Sequence, residues 1–176
     1  GGAPGGGRVL RRAAWAKPPG SGRERVARGA MEAAEAQGGL QPGGTVVEYT
    51  AGTTGVSLAF VCAAKGYNLH IVFSDAFSDE KRRTMQAFGA VITDVLSEHG
   101  QITATLIKQL IETARQLSLR PGHWWCDQLN NHDAITGYDA LGEELWTQSG
   151  GQLDAFVHAG RTAPPTHGPA RPPRRP

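Results

Sequence analysis

A loop rich in glycine and threonine is the first segment whose residues are arranged for chemistry. It has the sequence Thr-Ala-Gly-Thr-Thr-Gly over residues 50–55, between a short apolar run and a longer apolar stretch. A helix that begins in such a loop leaves its first N–H groups without acceptors, beside the positive end of its dipole. Glycines permit close backbone approach and hydroxyls add donors, so the loop predicts an anion site. A capping loop without a ligand is an equal alternative from these residues alone.

Two more polar turns follow apolar runs further along the chain. Residues 127–131 read Asp-Gln-Leu-Asn-Asn, and residues 159–163 read Ala-Gly-Arg-Thr-Ala. Because the carboxyl ends of parallel strands meet at one edge of a sheet, the three turns predict a single pocket. The paired acids at 79–80 and 143–144 fall on predicted helices and are interpreted as solvated, so no acid and base pair is assigned.

No metal site is predicted from the histidines and cysteines. The six histidines show no paired spacing suited to zinc. Cys62 and Cys126 lie far apart in apolar surroundings, which is typical of reduced residues in a protein core. No run approaches the roughly 20 apolar residues that cross a bilayer, and no signal peptide is evident, so a cytoplasmic protein without a membrane partner is expected.

Short apolar runs alternate with segments of helical periodicity through the middle of the chain. Strands are predicted at 45–49, 69–73, 90–94, 123–126 and 153–157, and helices at 24–37, 56–65, 78–88, 101–118 and 133–148. Ser78 is predicted to cap the third helix, and Ile102 to begin the apolar stripe of the fourth. This alternation predicts an α/β fold, with a three-layer parallel sheet covered by helices on both faces.

The two ends of the chain differ from its middle in composition. Residues 1–28 hold seven basic groups and one acidic group, residues 155–176 hold four basic groups and none acidic, and nine of eleven prolines lie in these two segments. We therefore expect a folded unit at 21–158 between basic ends at 1–20 and 159–176 that are disordered or translated out of frame. A basic arm that binds nucleic acid is the less favoured alternative, because Trp15 is the one aromatic residue among residues 1–20, so no nucleic-acid partner is expected.

Six segments, in order, resemble signature blocks of the cysteine synthase and cystathionine β-synthase family. They are residues 19–25, 43–59, 65–67, 78–82, 85–90 and 128–131. The resemblance spans residues 19–158 and implies part of the tryptophan synthase β-like fold of type II pyridoxal-phosphate enzymes, truncated and degenerate at both ends. Family members continue into a second domain.

The resemblance assigns the cofactor position to Arg23. The family's first block reads Gly-Ser-x-Lys-Asp-Arg, and its lysine forms the internal aldimine with pyridoxal phosphate. A guanidinium stays protonated and lacks the free amine that a Schiff base requires. The cofactor of the family is therefore not expected to be tethered in this chain, and Arg23 is not expected to be catalytic.

The remaining site residues are also assigned by the resemblance. The substrate carboxylate would be held by Thr50, Ala51, Gly52, Thr54 and Gln128. Thr53 stands where the family has an asparagine that contacts the cofactor, and Gly160 and Thr162 correspond to its phosphate-binding turn.

The resemblance implies a β-replacement reaction, in which sulfide or another nucleophile replaces the substituent of an O-activated serine. Arg23 predicts that this partial chain is inactive. The alternatives are a non-catalytic protein that binds an amino acid or serves in regulation, and a defective open reading frame without function. The partners expected are a small amino acid and a second copy of the chain in a homodimer.

Overall fold

Four parallel strands form the centre of the fold. The computed structural model describes residues 9–10, 16, 20–133 and 138–156. In this part the sheet has the order β3-β2-β1-β4, built from β1 (Thr45–Tyr49), β2 (Asn68–Phe73), β3 (Val91–Asp94) and β4 (His123–Trp125). The helices are α1 (Glu24–Ala36), α2 (Thr53–Lys65), α3 (Asp79–Ala87), α4 (Ala104–Ser118) and α5 (Asp139–Gln148). The predicted α/β class is confirmed.

Helices cover both faces of this sheet, because successive side chains of a strand point to opposite sides. Val46 and Ile71 belong to one buried cluster, together with residues of α1 and α2. Val47 and Val72, the next residues along the same strands, belong to a second cluster with Leu110 and other residues of α4. The predicted three-layer arrangement is therefore also confirmed.

The register of the sheet brings two predicted turns together. β1 lies between β2 and β4, with Thr45 opposite Asn68 on one side and opposite His123 on the other. All three strands run parallel, so the segments that follow β1 and β4 emerge at the same edge. These segments contain the loop 50–55 and the turn 127–131.

Two predictions about helix starts are wrong. α2 begins at Thr53 rather than at residue 56, because its first turn is made of small and polar residues that carry no apolar periodicity. Ile102 lies before α4 and is 61% exposed. α4 begins after Thr103, whose hydroxyl oxygen accepts a hydrogen bond from the N–H of Leu106 at 3.1 Å. Ser78 does occupy the N-cap position of α3, but its side chain makes no capping bond.

The predicted last strand is also wrong over the residues that can be checked. Residues 153–156 form no strand, and Leu153 and Phe156 are each 39% exposed, so they build no buried sheet face. Val157 lies outside the described residues, as do residues 134–137 of the predicted last helix. The boundaries proposed at residues 20 and 158 stay predictions.

Two further properties follow from the described helices and cysteines. No helix in this part of the chain combines the length and the apolar character needed to cross a membrane. Cys62 and Cys126 are both buried and form no disulfide, as their apolar surroundings in the sequence predicted.

Candidate functional site

A cavity of about 200 Å³ lies at the carboxyl edge of the sheet. Its lining comprises seven residues from three separate segments: Arg23, Thr50, Ala51, Gly52, Thr53, Thr54 and Gln128. All seven were singled out from the sequence. The remaining two, Gly160 and Thr162, lie outside the described residues.

The loop 50–55 turns directly from β1 into α2. The N–H of Thr50 still donates to the carbonyl of Val72, at 3.3 Å, and so extends the pairing of β1 with β2. Its hydroxyl oxygen then accepts the N–H of Gly52 at 3.0 Å. Gly52 has φ 137°, a conformation that favours glycine, and its carbonyl accepts the first hydrogen bond of α2, from Val56 at 2.9 Å. The first N–H groups of α2 are thereby brought to the cavity.

Close packing against α3 fixes the start of α2. A Cβ at Gly52 would lie 2.8 Å from Cγ of Lys81, whose aliphatic stem passes over the loop. A Cβ at Gly55 would overlap the sulfur of Met85 and lie 2.6 Å from Cγ2 of Thr50. Both glycines are therefore required by close approach, and α2 begins pressed against α3.

Arg23 reaches the cavity from the start of α1. It occupies the N-cap position of that helix, and its N–H donates to Oγ of Ser21 at 3.1 Å. Its guanidinium Nη1 donates to Oγ1 of Thr54 at 3.2 Å, and the Thr54 hydroxyl donates to Oε1 of Gln128 at 2.5 Å. Thr54 is buried, and both hydrogen bonds are partly shielded from solvent. One hydroxyl thus connects the segments that carry Arg23 and Gln128.

A turn after β4 places Gln128. The N–H of Cys126 donates to the carbonyl of Val47 at 3.0 Å, which is the last backbone bond between β1 and the β4 segment. Asp127 then takes φ 44°, an uncommon left-handed conformation that aspartate tolerates better than most residues. The N–H of Gln128 is thereby directed to the side chain of Glu48, whose Oε2 accepts it at 3.0 Å.

The role of Glu48 and the backbone conformation of Asp127 were not predicted from the sequence. Glu48 is fully buried and has no contact with solvent. The available signal was a carboxylate inside the apolar strand Thr-Val-Val-Glu-Tyr, since a buried charge requires compensating partners. No comparable signal marks Asp127, because its conformation depends on the turn as a whole.

The lining of the cavity carries a positive formal charge. Arg23 is the one formally charged side chain among the seven lining residues, and none of them is acidic. Beneath them, burial raises the pKa of Glu48 to about 8, against the opposing hydrogen bonds from Gln128, Tyr49 and Trp125. Glu48 is therefore mostly neutral at pH 7. A cation, the hydroxyls of Thr50 and Thr53 and the N–H groups of a helix start can bind an anion, but they supply neither a nucleophile nor a general base.

These residues do not fit a covalently attached pyridoxal phosphate. An imine with an aldehyde requires a primary amine that can lose its proton, and none of the seven lining side chains carries one. The nearest candidate by type and position is Arg23, which remains protonated at any relevant pH. Among the described residues there is also no cluster of three or more histidine, cysteine or acidic side chains that could hold a metal ion.

Comparison with known proteins agrees with the architecture. Residues 5–172 match the family model described as pyridoxal-phosphate dependent enzyme. Cysteine synthase B of Escherichia coli strain K12 is 35% identical over 145 residues, which are 80% of this chain and 45% of that protein. O-acetyl serine sulfhydrylase isoform 3 from Entamoeba histolytica superimposes with a TM-score of 0.71 at 29% identity, over 84% of this chain and 43% of that structure.

A second similar structure is a lysine-to-alanine mutant of O-ureido-L-serine synthase with O-ureido-L-serine bound. Its TM-score is 0.76 at 30% identity, over 89% of this chain and 48% of that chain. The present chain thus spans less than half the length of each of these relatives. The predicted resemblance to cysteine synthases is confirmed, and with nearly its whole length matched by the family model, the chain belongs to the family of pyridoxal-phosphate-dependent enzymes.

Proposed function

We propose that this chain is a partial, cysteine synthase-like protein that binds the carboxylate of an amino acid and has lost Schiff-base chemistry. The observation that carries the proposal is the hydrogen-bonded series from Arg23 through Thr54 to Gln128. In a catalytic ancestor, a lysine at position 23 would be free to hold the cofactor. Here a permanent cation stands in its place and is bonded to the loop that would receive the substrate.

The chemistry of the cavity supports an anionic ligand. A carboxylate accepts hydrogen bonds only, and the loop 50–55 offers hydroxyl and backbone N–H donors beside the start of α2. Arg23 adds a guanidinium whose planar donors match a carboxylate. A volume of about 200 Å³ accommodates a carboxylate with its adjoining carbon atoms.

The relative bound to O-ureido-L-serine supports amino-acid binding by a family member in which a lysine has been replaced. That protein is a mutant in which alanine replaces a lysine, and it still holds an amino acid. The parent reaction that we infer is the β-replacement of an O-activated serine by sulfide or another nucleophile. Arg23 cannot serve as the base of this reaction, so we expect no turnover from this chain.

Calorimetric titration with L-serine tests the binding proposal. L-serinamide is the matched control, because it keeps the amine and hydroxyl but has no carboxylate. Binding of L-serine with at least about tenfold preference over the amide is expected, since hydrogen bonds to a charged group are worth about 1.5–3 kcal/mol. Equal affinity for both compounds, or no binding of either, would contradict it. The absence of all binding is what a defective open reading frame predicts.

Reduction with borohydride after incubation with pyridoxal phosphate tests whether residue 23 can form a Schiff base with that cofactor. The wild-type chain is expected to show no label at residue 23, whereas Arg23→Lys is expected to gain one. Arg25→Lys is the control, because Arg25 pairs with Glu144 at 2.9 Å and does not line the cavity. A label near residue 23 of the wild-type chain would overturn the proposal.

A homodimer and a cytoplasmic location complete the proposal. Leu129, next to Gln128, is apolar and 58% exposed, and a second copy of the chain could cover such a side chain. Static light scattering that shows twice the chain mass would support the homodimer, and a monomer at all concentrations would exclude it.

A further inference from the structure

Glu48 is the most deeply buried charged residue at the carboxyl edge of the described sheet. It is 0% exposed and lies on β1, with Ile71 of β2 as its neighbour in the register. Its side chain does not line the cavity, and it was assigned no role from the sequence. A carboxyl group in such a place is costly unless hydrogen bonds compensate for its removal from water.

Three N–H groups provide this compensation. Oε1 of Glu48 accepts the backbone N–H of Tyr49 at 2.9 Å and the indole N–H of Trp125 at 3.4 Å. Oε2 accepts the backbone N–H of Gln128 at 3.0 Å. The carboxyl therefore ties β1 to the turn that follows β4, beyond the last backbone bond between the two segments.

The bond to Gln128 links Glu48 to the cavity. Asp127 leaves the extended conformation, with φ 44°, so Gln128 has no backbone acceptor on β1 and uses the Glu48 side chain instead. At its other end, Gln128 accepts the Thr54 hydroxyl at 2.5 Å. The position of the Gln128 side chain thus depends on a buried carboxyl group that does not itself line the cavity.

We infer that Glu48 is a positioning residue, which fixes the turn after β4 so that Gln128 stays in contact with Thr54 at the cavity. The ligand part of this inference rests on the proposed function. All three partners of Glu48 are donors, and either carboxyl oxygen can accept them, including the oxygen that carries the proton when the group is neutral. A glutamine of the same shape would direct its NH₂ group against at least one of these N–H groups.

A double-mutant cycle on L-serine affinity tests how Glu48 acts. Glu48→Gln and Gln128→Ala are each expected to raise the dissociation constant about tenfold, the cost of about one disrupted polar contact. The double variant is expected to be no weaker than the weaker single variant, because both changes affect the same contact. Effects that multiply to about a hundredfold would show that Glu48 acts apart from Gln128 and would overturn the inference. Glu35→Gln, which changes a carboxylate remote from the cavity, is the control.

A second measurement needs no ligand and separates this inference from the proposed function. The backbone amide of Gln128 in a ¹H–¹⁵N spectrum is expected to shift as the pH passes the Glu48 pKa of about 8, and to lose this shift in Glu48→Gln. The neighbouring Tyr49 and Cys126 stay neutral in this range, because burial is the main cause that raises their pKa values. The negative charge of Asp127 also acts on Glu48 and helps to raise its pKa. An amide that has the same chemical shift in both proteins at every pH would overturn the inference. If the amide responds while L-serine does not bind, the positioning role stands and the proposed function fails. If Glu48→Gln does not fold, hydrogen exchange of the wild-type Gln128 amide decides: slow exchange, as expected for an N–H bonded to a buried carboxyl group, supports the inference, and exchange as fast as that of an exposed amide overturns it.

Discussion

Arg23 and Thr54 are 31 residues apart in the sequence, yet the guanidinium Nη1 lies 3.2 Å from the threonine Oγ1. The contact places a permanent positive charge beside the first turn of α2. Because the same hydroxyl donates to Gln128, Thr54 connects the cation at the start of α1 with the turn after β4. This arrangement can bind an anion, but its lining offers no primary amine to which the family's cofactor could be attached.

Thr54→Val is expected to weaken L-serine binding about fivefold to tenfold. Valine keeps the branched shape but removes the hydroxyl, so Arg23 and Gln128 each lose a partner worth about 1 kcal/mol. Calorimetry of the variant measures the change. Thr113→Val on α4 is the matched control, because the Thr113 hydroxyl only bonds the carbonyl of Gln109 on an exposed helix face. Equal affinities of wild type and Thr54→Val would exclude a role of Thr54 in holding the cavity.

Gly55→Ala is expected to lower the free energy of unfolding by about 1–3 kcal/mol, because the added methyl group overpacks a closed space. Its Cβ would overlap the Met85 sulfur and lie 2.6 Å from Thr50 Cγ2, and both neighbours are buried. Urea denaturation measures the difference. Gly22→Ala is the control, since a Cβ there meets no atom within 4 Å. A loss of the same size in both variants would mean that backbone flexibility, and not packing, decides the cost.

Two substitutions of Asp127 measure the cost of its left-handed backbone conformation. Asp127→Ala and Asp127→Gly both remove the side-chain bonds to Asn130, so they differ mainly in how well they tolerate φ 44°. We expect the alanine variant to be less stable than the glycine variant by about 1–2 kcal/mol, the cost of a left-handed residue with a Cβ. Denaturation midpoints of the two variants provide the comparison. An alanine variant as stable as the glycine variant would show that the turn relaxes to another conformation.

The strands could be predicted from the sequence because each is a short apolar run between clear breaks. β1 was predicted at its observed bounds, and β2 and β3 within one residue, since β-branched and other apolar residues dominate each run and a glycine lies within two residues before it. The predicted strand at 153–157 failed over its described residues. Leu153 and Phe156 are apolar, but a strand also needs a neighbour to bond, which the local sequence does not reveal.

The residues that line the cavity could be predicted from the sequence, but the hydrogen bonds between them could not. The turns that hold Thr54 and Gln128 were expected at one edge because parallel strands share their carboxyl ends. The contact of Arg23 with Thr54 depends on how α1 packs against α2, and the bond between Thr54 and Gln128 depends on how the two turns meet. Glu48 was overlooked for the same reason, since its importance lies in three donors that come from other positions in the chain.

Glu48 is expected to make the stability of the fold fall as the pH rises. Burial raises its pKa from an ordinary value of 4.5 to about 8 in the folded chain. Between these two values the folded state keeps a proton that the unfolded state has released. The free energy of unfolding therefore decreases with pH in this window, by up to roughly 1.4 kcal/mol per pH unit from this group, and levels off above pH 8.

Urea denaturation at pH 5, 6, 7 and 8 measures this slope within the window set by the Glu48 pKa. Glu48→Gln has no titrating group and is expected to show a flatter dependence, whatever its absolute stability. Glu35→Gln is the matched control. Burial acts to raise the pKa of Glu35, but hydrogen bonds from Lys65 and Tyr67 outweigh it and lower the pKa below 4.5, so its contribution is lost only as the pH falls below this range. A wild-type slope that Glu48→Gln leaves unchanged would show that Glu48 is ionised in the folded chain throughout, held as a carboxylate by its three N–H donors.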